Sequence, residues 1–156
     1  MRKLSLVAFC LLVFGSAAMA QKIDTKWHCG KTAAEHKLDV GDTPDHSYVI
    51  SQGTCVATSS GSGEKTGTYT VFQNLWKESS TGHGHFNVTM ENGDMAYYTY
   101  ESSGSNDIKK PAENKWKIVN GTGKQKDMKG SGTCAGTRHE DGSSDWVCTG
   151  TSSMGK

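Results

Sequence analysis

Turn residues punctuate this chain every eight to twelve positions, and that rhythm constrains the fold more than any motif does. There are 19 glycines and only 2 prolines. The stretches between turn signals show no long 3.6-residue periodicity, so they read as short antiparallel strands. Eight are expected, at about 22–29, 46–58, 64–73, 82–91, 94–103, 113–120, 127–136 and 144–151. Residues 31–38 read as one short helical turn.

The fourth and fifth strands form the clearest hairpin, because Glu91-Asn92-Gly93-Asp94 centres the Asn-Gly pair favoured in two-residue turns. A two-residue turn sets Phe86, Val88 and Met90 opposite Thr99, Tyr97 and Met95 on an apolar, inward face. It leaves His85, Asn87 and Thr89 opposite Tyr100, Tyr98 and Ala96 on the other face. Eight antiparallel strands in one domain over 21–156 predict an all-β fold. A single eight-stranded antiparallel barrel, which leaves no free edge, is the first expectation, and a β-sandwich is the alternative. A barrel of that size holds either a packed core or one small ligand.

The first twenty residues read as a secretion signal. Arg2 and Lys3 precede a mostly apolar run from Leu4 to Phe14, and Ala18-Met19-Ala20 supplies the small residues a signal peptidase reads. The run is shorter than a membrane anchor needs, and Phe9 is too bulky for Cys10 to be a lipoprotein acceptor. A secreted or periplasmic protein beginning at Gln21, with no membrane span after cleavage, is expected. Removing Arg2 and Lys3 from 17 basic residues leaves 15 against 16 acidic ones, a balance of −1 with histidine neutral. A nearly neutral surface offers nucleic acid no electrostatic footprint.

Four cysteines remain: Cys29, Cys55, Cys134 and Cys148. An even count in an exported chain implies disulfides, here with three possible connectivities. Cys134 and Cys148 flank Glu140-Asp141-Gly142 symmetrically, so a hairpin folded there pairs them and leaves Cys29 with Cys55. A four-cysteine zinc site is disfavoured because no two are closely spaced. Aliphatic side chains are scarce, but low net charge, four tryptophans and five tyrosines argue for a folded domain that leans on cross-links.

Val119-Asn120-Gly121-Thr122-Gly123, with Met128-Lys129-Gly130-Ser131-Gly132, resembles the glycine-rich turn and strand of allene oxide cyclase-like and dirigent-like barrels. Asn92-Gly93-Asp94 leading into Tyr97-Tyr98-Thr99-Tyr100 fits the hairpin placed upstream in those proteins. With its four cysteines the chain is similar to bacterial secreted proteins of that build. The resemblance covers about 82–132, and Gln125 departs from it where an aromatic is usual. It implies an eight-stranded barrel with a ligand cavity, often dimeric or trimeric, and carries over no active site.

Two constellations bear chemistry. His83 and His85, two apart on a strand, share a face and invite zinc or copper, with Glu101 or Tyr100 as a further ligand. Two solvated histidines are the more ordinary reading, and no cofactor is the expectation. His85, Asn87, Tyr98 and Tyr100 offer an imidazole, an amide and two phenols for ligand binding or acid–base work if their face lines a cavity. Ordinary cross-strand pairing competes with that reading. Trp27, Trp76, Trp116 and Trp146 read as core or barrel-end packing. Gly121-Thr122-Gly123-Lys124 lacks the remaining elements of a phosphate loop. Gly130 to Ala135 matches dinucleotide spacing without a following helix, and no nucleophile elbow occurs.

The function expected is therefore non-enzymatic binding of a small apolar or amphipathic ligand, or of a partner protein, with homo-oligomerisation open. An isomerase- or cyclase-type enzyme acting in the cavity is one alternative. A structural module with a filled barrel is the other.

Overall fold

The structure is a computed structural model and describes residues 20–155. The signal segment expected at 1–20 lies, apart from Ala20, outside the described residues. The strands are β1 (Gln21–Cys29), β2 (Ala34–Asp39), β3 (Ser47–Ser60), β4 (Glu64–Leu75), β5 (Ser79–Met90), β6 (Met95–Ser105), β7 (Ala112–Gly121), β8 (Met128–Arg138) and β9 (Ser144–Met154). A single 3-10 turn, Gly123–Gln125, joins β7 to β8. β3 to β9 pair in chain order, each antiparallel to the next. β1 then pairs with β9 on one side and β3 on the other, which closes an eight-stranded barrel. The sandwich alternative is thereby set aside.

The helical turn expected at 31–38 is instead the ninth strand. β3 is long, and β1 occupies its edge only from Cys55 to Ser60. The bare edge from Ser47 to Gln52 offers ladder partners, and β2 takes them. Unpaired backbone groups outbid a marginal local helix there. Val40 N–H donates to the His46 carbonyl. By antiparallel alternation the N–H and C=O groups of Glu35, Lys37 and Asp39 point away from β3. They form an edge with no strand partner among the described residues.

Both disulfides form as expected, and both cross neighbouring strands at directly opposed positions. Cys29–Cys55 ties β1 to β3, and Cys134–Cys148 ties β8 to β9.

The β5–β6 hairpin corrects the face assignment. The Met90 N–H bonds the Asp94 carbonyl, the Gly93 N–H bonds the Met90 carbonyl, and Gly93 has φ +86°. The loop is thus three residues ending in a left-handed glycine, and Thr89 pairs with Met95. One residue of slip turns every side chain of β6 over. Phe86, Val88 and Met90 do face inward, but their inward neighbours are Ala96, Tyr98 and Tyr100, while Met95, Tyr97 and Thr99 face out.

The interior is packed by large rings lying across glycines one or two strands away. Phe86 lies over Gly67, Tyr69 over Gly53, Tyr100 over Gly84, and Trp116 over both Gly132 and Gly150. A Cβ at Gly84 would sit 2.8 Å from Cζ of Tyr100, and one at Gly53 would sit 2.5 Å from Oη of Tyr69. This small-against-large alternation explains how a glycine-rich, aliphatic-poor chain builds a core. Ile23, Val88, Met90, Ala96 and Ile118 fill one end. Gln125, the departure from the family pattern, is buried at that same end.

Two predictions follow from this packing. Gly67→Ala should cost about 1–3 kcal/mol, because its methyl enters the Phe86 ring. In a Phe86→Ala background the same change should cost much less, and equal costs in a double-mutant cycle would show that the ring does not rest on that glycine. Replacing Cys134 and Cys148 together by Ala should lower the unfolding free energy by about 3 kcal/mol, and the Cys29/Cys55 pair by about half a kcal/mol more for its longer loop. Urea midpoints that do not move would mean the ladders alone hold the barrel.

Candidate functional site

The barrel is not filled. A cavity of about 410 Å³ runs along its axis and opens at the end where β4, β6 and β8 finish. The filled structural module is therefore not what the chain forms. Alternation along each strand decides what lines the space. Trp27, Tyr69, Phe86, Tyr98, Tyr100 and Trp116 supply aromatic walls. Their rings are in register with one another. Trp27 meets Phe86 edge-on at 4.9 Å, Phe86 lies 6.4 Å from Tyr98, and Tyr98 meets Trp116 at 5.6 Å. Both disulfides and Trp146 complete the wall. The mouth is polar, with Gln73, Ser80, Ser102, Asn114 and Ser144.

Several polar atoms on these walls have no protein partner. Thr25 Oγ1, Asn114 Oδ1 and Trp116 Nε1 are buried without a hydrogen bond. Thr25 and Trp116 are 1% and 5% exposed. Unpaired buried donors and acceptors are uncommon in folded proteins, and of the six such side-chain atoms among the described residues these three and Arg138 Nε belong to residues that line one cavity.

At the closed end stands Glu64, 4% exposed and a lining residue of the cavity. Its inward aim comes from a β-bulge. Glu64 pairs with Met90 and Thr66 with Thr89, so Lys65 is the extra residue, and the alternation that runs inward through Gly67, Tyr69 and Val71 is reset at Glu64. The Ser60 hydroxyl donates to Glu64 Oε2.

The mouth is braced on two sides. Arg138 donates from one guanidinium nitrogen to the carbonyls of Ser105 and Asp107, 2.8 Å each, and ties the β6–β7 loop to β8. His46 is buried in the β2–β3 turn. Its Nδ1 lies 2.6 Å from Asp42 and its Nε2 2.8 Å from Asn74, and its ring stacks on Trp76 at 3.6 Å. Outside the rim, hydrogen bonds from His28 and then His139 hold the exposed Asp145 carboxyl below its usual range. A cavity framed this way is largely preformed.

The sequence-derived sites fare unevenly in placement. His85, Asn87, Tyr98 and Tyr100 do not share a face. Tyr98 and Tyr100 line the cavity, while His85 and Asn87 sit on the outer surface of β5. The three-residue loop at Asn92 separates them. His83 and His85 do share the outer face, with Glu101 opposite His83, but Tyr100 points into the barrel and away from both. Among the described residues no three His, Cys, Asp or Glu side chains gather to hold a metal ion. Of the tryptophans, Trp27, Trp116 and Trp146 line the cavity, and Trp76 stacks on His46. Glu64, Thr25 and Tyr69 were not singled out by sequence. Alternation back from Tyr69 and Gly67 reaches Lys65, not Glu64, as the next inward position, so the bulge hid the carboxyl.

No protein-family profile and no curated protein sequence matches the chain. Among solved structures it is similar to the pterocarpan synthase dirigent protein GePTS1, with a TM-score of 0.56 and 10% identity over 97% of this chain and 98% of that one. It also aligns with the pterocarpan synthase dirigent protein PsPTS1, with a TM-score of 0.46 and 15% identity over 88% of this chain and 97% of that one. The first likeness bears out the dirigent-like barrel as a fold.

Burial, with a smaller push from Glu64, raises the Tyr98 phenol far above its usual value, and burial, then Tyr69, does the same for Tyr100. A raised folded value means the folded barrel holds these protons more tightly than the open chain does. The stability they contribute is complete below about pH 10 and is lost as pH rises above it. Alkaline ultraviolet titration should show a late phase that coincides with unfolding and vanishes in the Tyr98→Phe/Tyr100→Phe variant. A late phase of unchanged size would contradict the burial.

Proposed function

We propose that this chain is an exported carrier whose barrel binds one small, largely apolar molecule with a polar end. The observation that carries the reading is the cavity itself. It has aromatic walls, about 410 Å³ of space, and four unpaired buried polar atoms, Arg138 Nε among them, on its lining residues. Mostly apolar pockets with a few converging polar groups are how proteins hold small ligands. The disulfides support an oxidising destination. The signal-like segment supports the same destination, and among the described residues no helix is long and apolar enough to cross a membrane.

One observation favours the isomerase or cyclase alternative, namely a buried carboxyl against apolar walls at Glu64. The two readings differ in what leaves the cavity. A carrier returns its ligand with structure unchanged, and an enzyme returns an isomer.

The test is a titration with the neutral fluorophore N-phenyl-1-naphthylamine. Saturable, one-to-one binding with quenching of tryptophan fluorescence is expected. Ser51→Phe, which places a ring in the cavity, should weaken it by about tenfold or more while leaving the melting temperature within a few degrees. Binding that survives the blocked cavity would relocate the site to the outer surface. Native mass spectrometry of protein from its own host, followed by analysis of the released ligand, separates carrier from enzyme.

A further inference from the structure

The floor of the cavity carries a charge preference that its walls alone do not. Glu64 is the one buried carboxyl among the described residues. Its surroundings fix its role as an acceptor. The Ser60 hydroxyl oxygen accepts the backbone N–H groups of Ser62 at 3.2 Å, Gly63 at 2.8 Å and Glu64 at 2.9 Å. With its lone pairs so engaged, the hydroxyl has only its proton left to give, and it gives that proton to Glu64 Oε2. The loop from β3 to β4 is thus wound around a single hydroxyl that steadies a single carboxyl.

What Glu64 lacks is a cation. Among the described residues no Lys, Arg or His side chain forms an ion pair with it. Its second oxygen, Oε1, takes no hydrogen bond from them either. The cavity it joins is walled by ring faces and edges from Trp27, Phe86, Tyr98 and Trp116. Glu64 is close enough to Tyr98 to contribute to that phenol's upward shift. Aromatic faces present negative charge to a ligand, and a carboxyl does the same more strongly. An acceptor with no positive partner in an aromatic-walled cavity is complementary to an organic cation with an apolar body.

We infer that the cavity selects a small organic ammonium compound, its charged head against Glu64 and its apolar body against the rings of Trp27, Phe86 and Tyr98. The inference rests on the cavity-binding reading and adds the charge of the ligand to it.

The test compares two molecules of one shape, benzyltrimethylammonium and its neutral carbon analogue neopentylbenzene, on the intact protein. Each is titrated against tryptophan fluorescence and by displacement of N-phenyl-1-naphthylamine. The cation is expected to bind about tenfold tighter or better, and Glu64→Gln, which keeps an acceptor for Ser60, should bring the two within about twofold. Should that variant fail to fold, the comparison on the unaltered protein still decides. If the neutral analogue and the naphthylamine bind and the cation binds no better, the ammonium assignment is overturned while the cavity reading stands. If none of the three binds, the cavity reading itself fails and takes the assignment with it.

Discussion

β1 is the stave that turns this sheet into a barrel. Its nine residues pair with β9 along one edge, and its last five pair with β3 along the other. Every other barrel contact is between neighbours in sequence, and such hairpins form with short loops to close. The β1–β9 pairing joins the two ends of the described chain and carries the largest ordering cost, which cross-links reduce by restricting the unfolded ensemble. The disulfides stand where that closure needs help. One fixes β1 to β3 and the other fixes β9 to β8, so each strand beside the closing seam is held in register by a covalent bond.

Closure alone would not make a ligand site, because a barrel of eight strands can be filled by its own side chains. Here the rings cover glycines on neighbouring strands, and Trp27 of β1 reaches across the interior to meet Phe86 of β5 at 4.9 Å. Trp116 covers two such positions, Gly132 and Gly150. The same glycines that deprive the chain of aliphatic bulk make room for its aromatics, and the cavity is the space those rings leave. Core and cavity are thus one arrangement seen from opposite sides.

Much of this was legible in the residues. The eight barrel strands follow from turn signals, and Cys134–Cys148 follows from symmetry about Asp141. What escaped prediction escaped for local reasons. Alternation along a strand is exact only while nothing is inserted, and a single extra residue reverses it. Asn92-Gly93 reads as a two-residue turn, yet the three-residue loop it forms sends Tyr98 and Tyr100 inward and parts them from His85 and Asn87. Lys65 is an inserted residue of the same kind, and it turns Glu64 toward the axis. β2 was missed because its partner is the bare half of β3, a vacancy that exists only after β1 has docked. Fold class depends on sums over many residues and is robust to such slips. A site depends on which way a few side chains point, and is not.

The spare edge of β2 bears on the behaviour of the protein when crowded. A cylinder has no rim of unpaired strand for another chain to extend, but β2 restores a short one. Its outward backbone groups belong to Glu35, Lys37 and Asp39, all exposed and alternating in sign, with Lys37 and Asp39 paired at 3.5 Å. An apolar segment adding itself there would strip water from three ionic groups and gain little in return. Among the described residues, the strand edge that offers intermolecular sheet growth a template is also guarded by charge, which is how an open edge is kept from recruiting another chain.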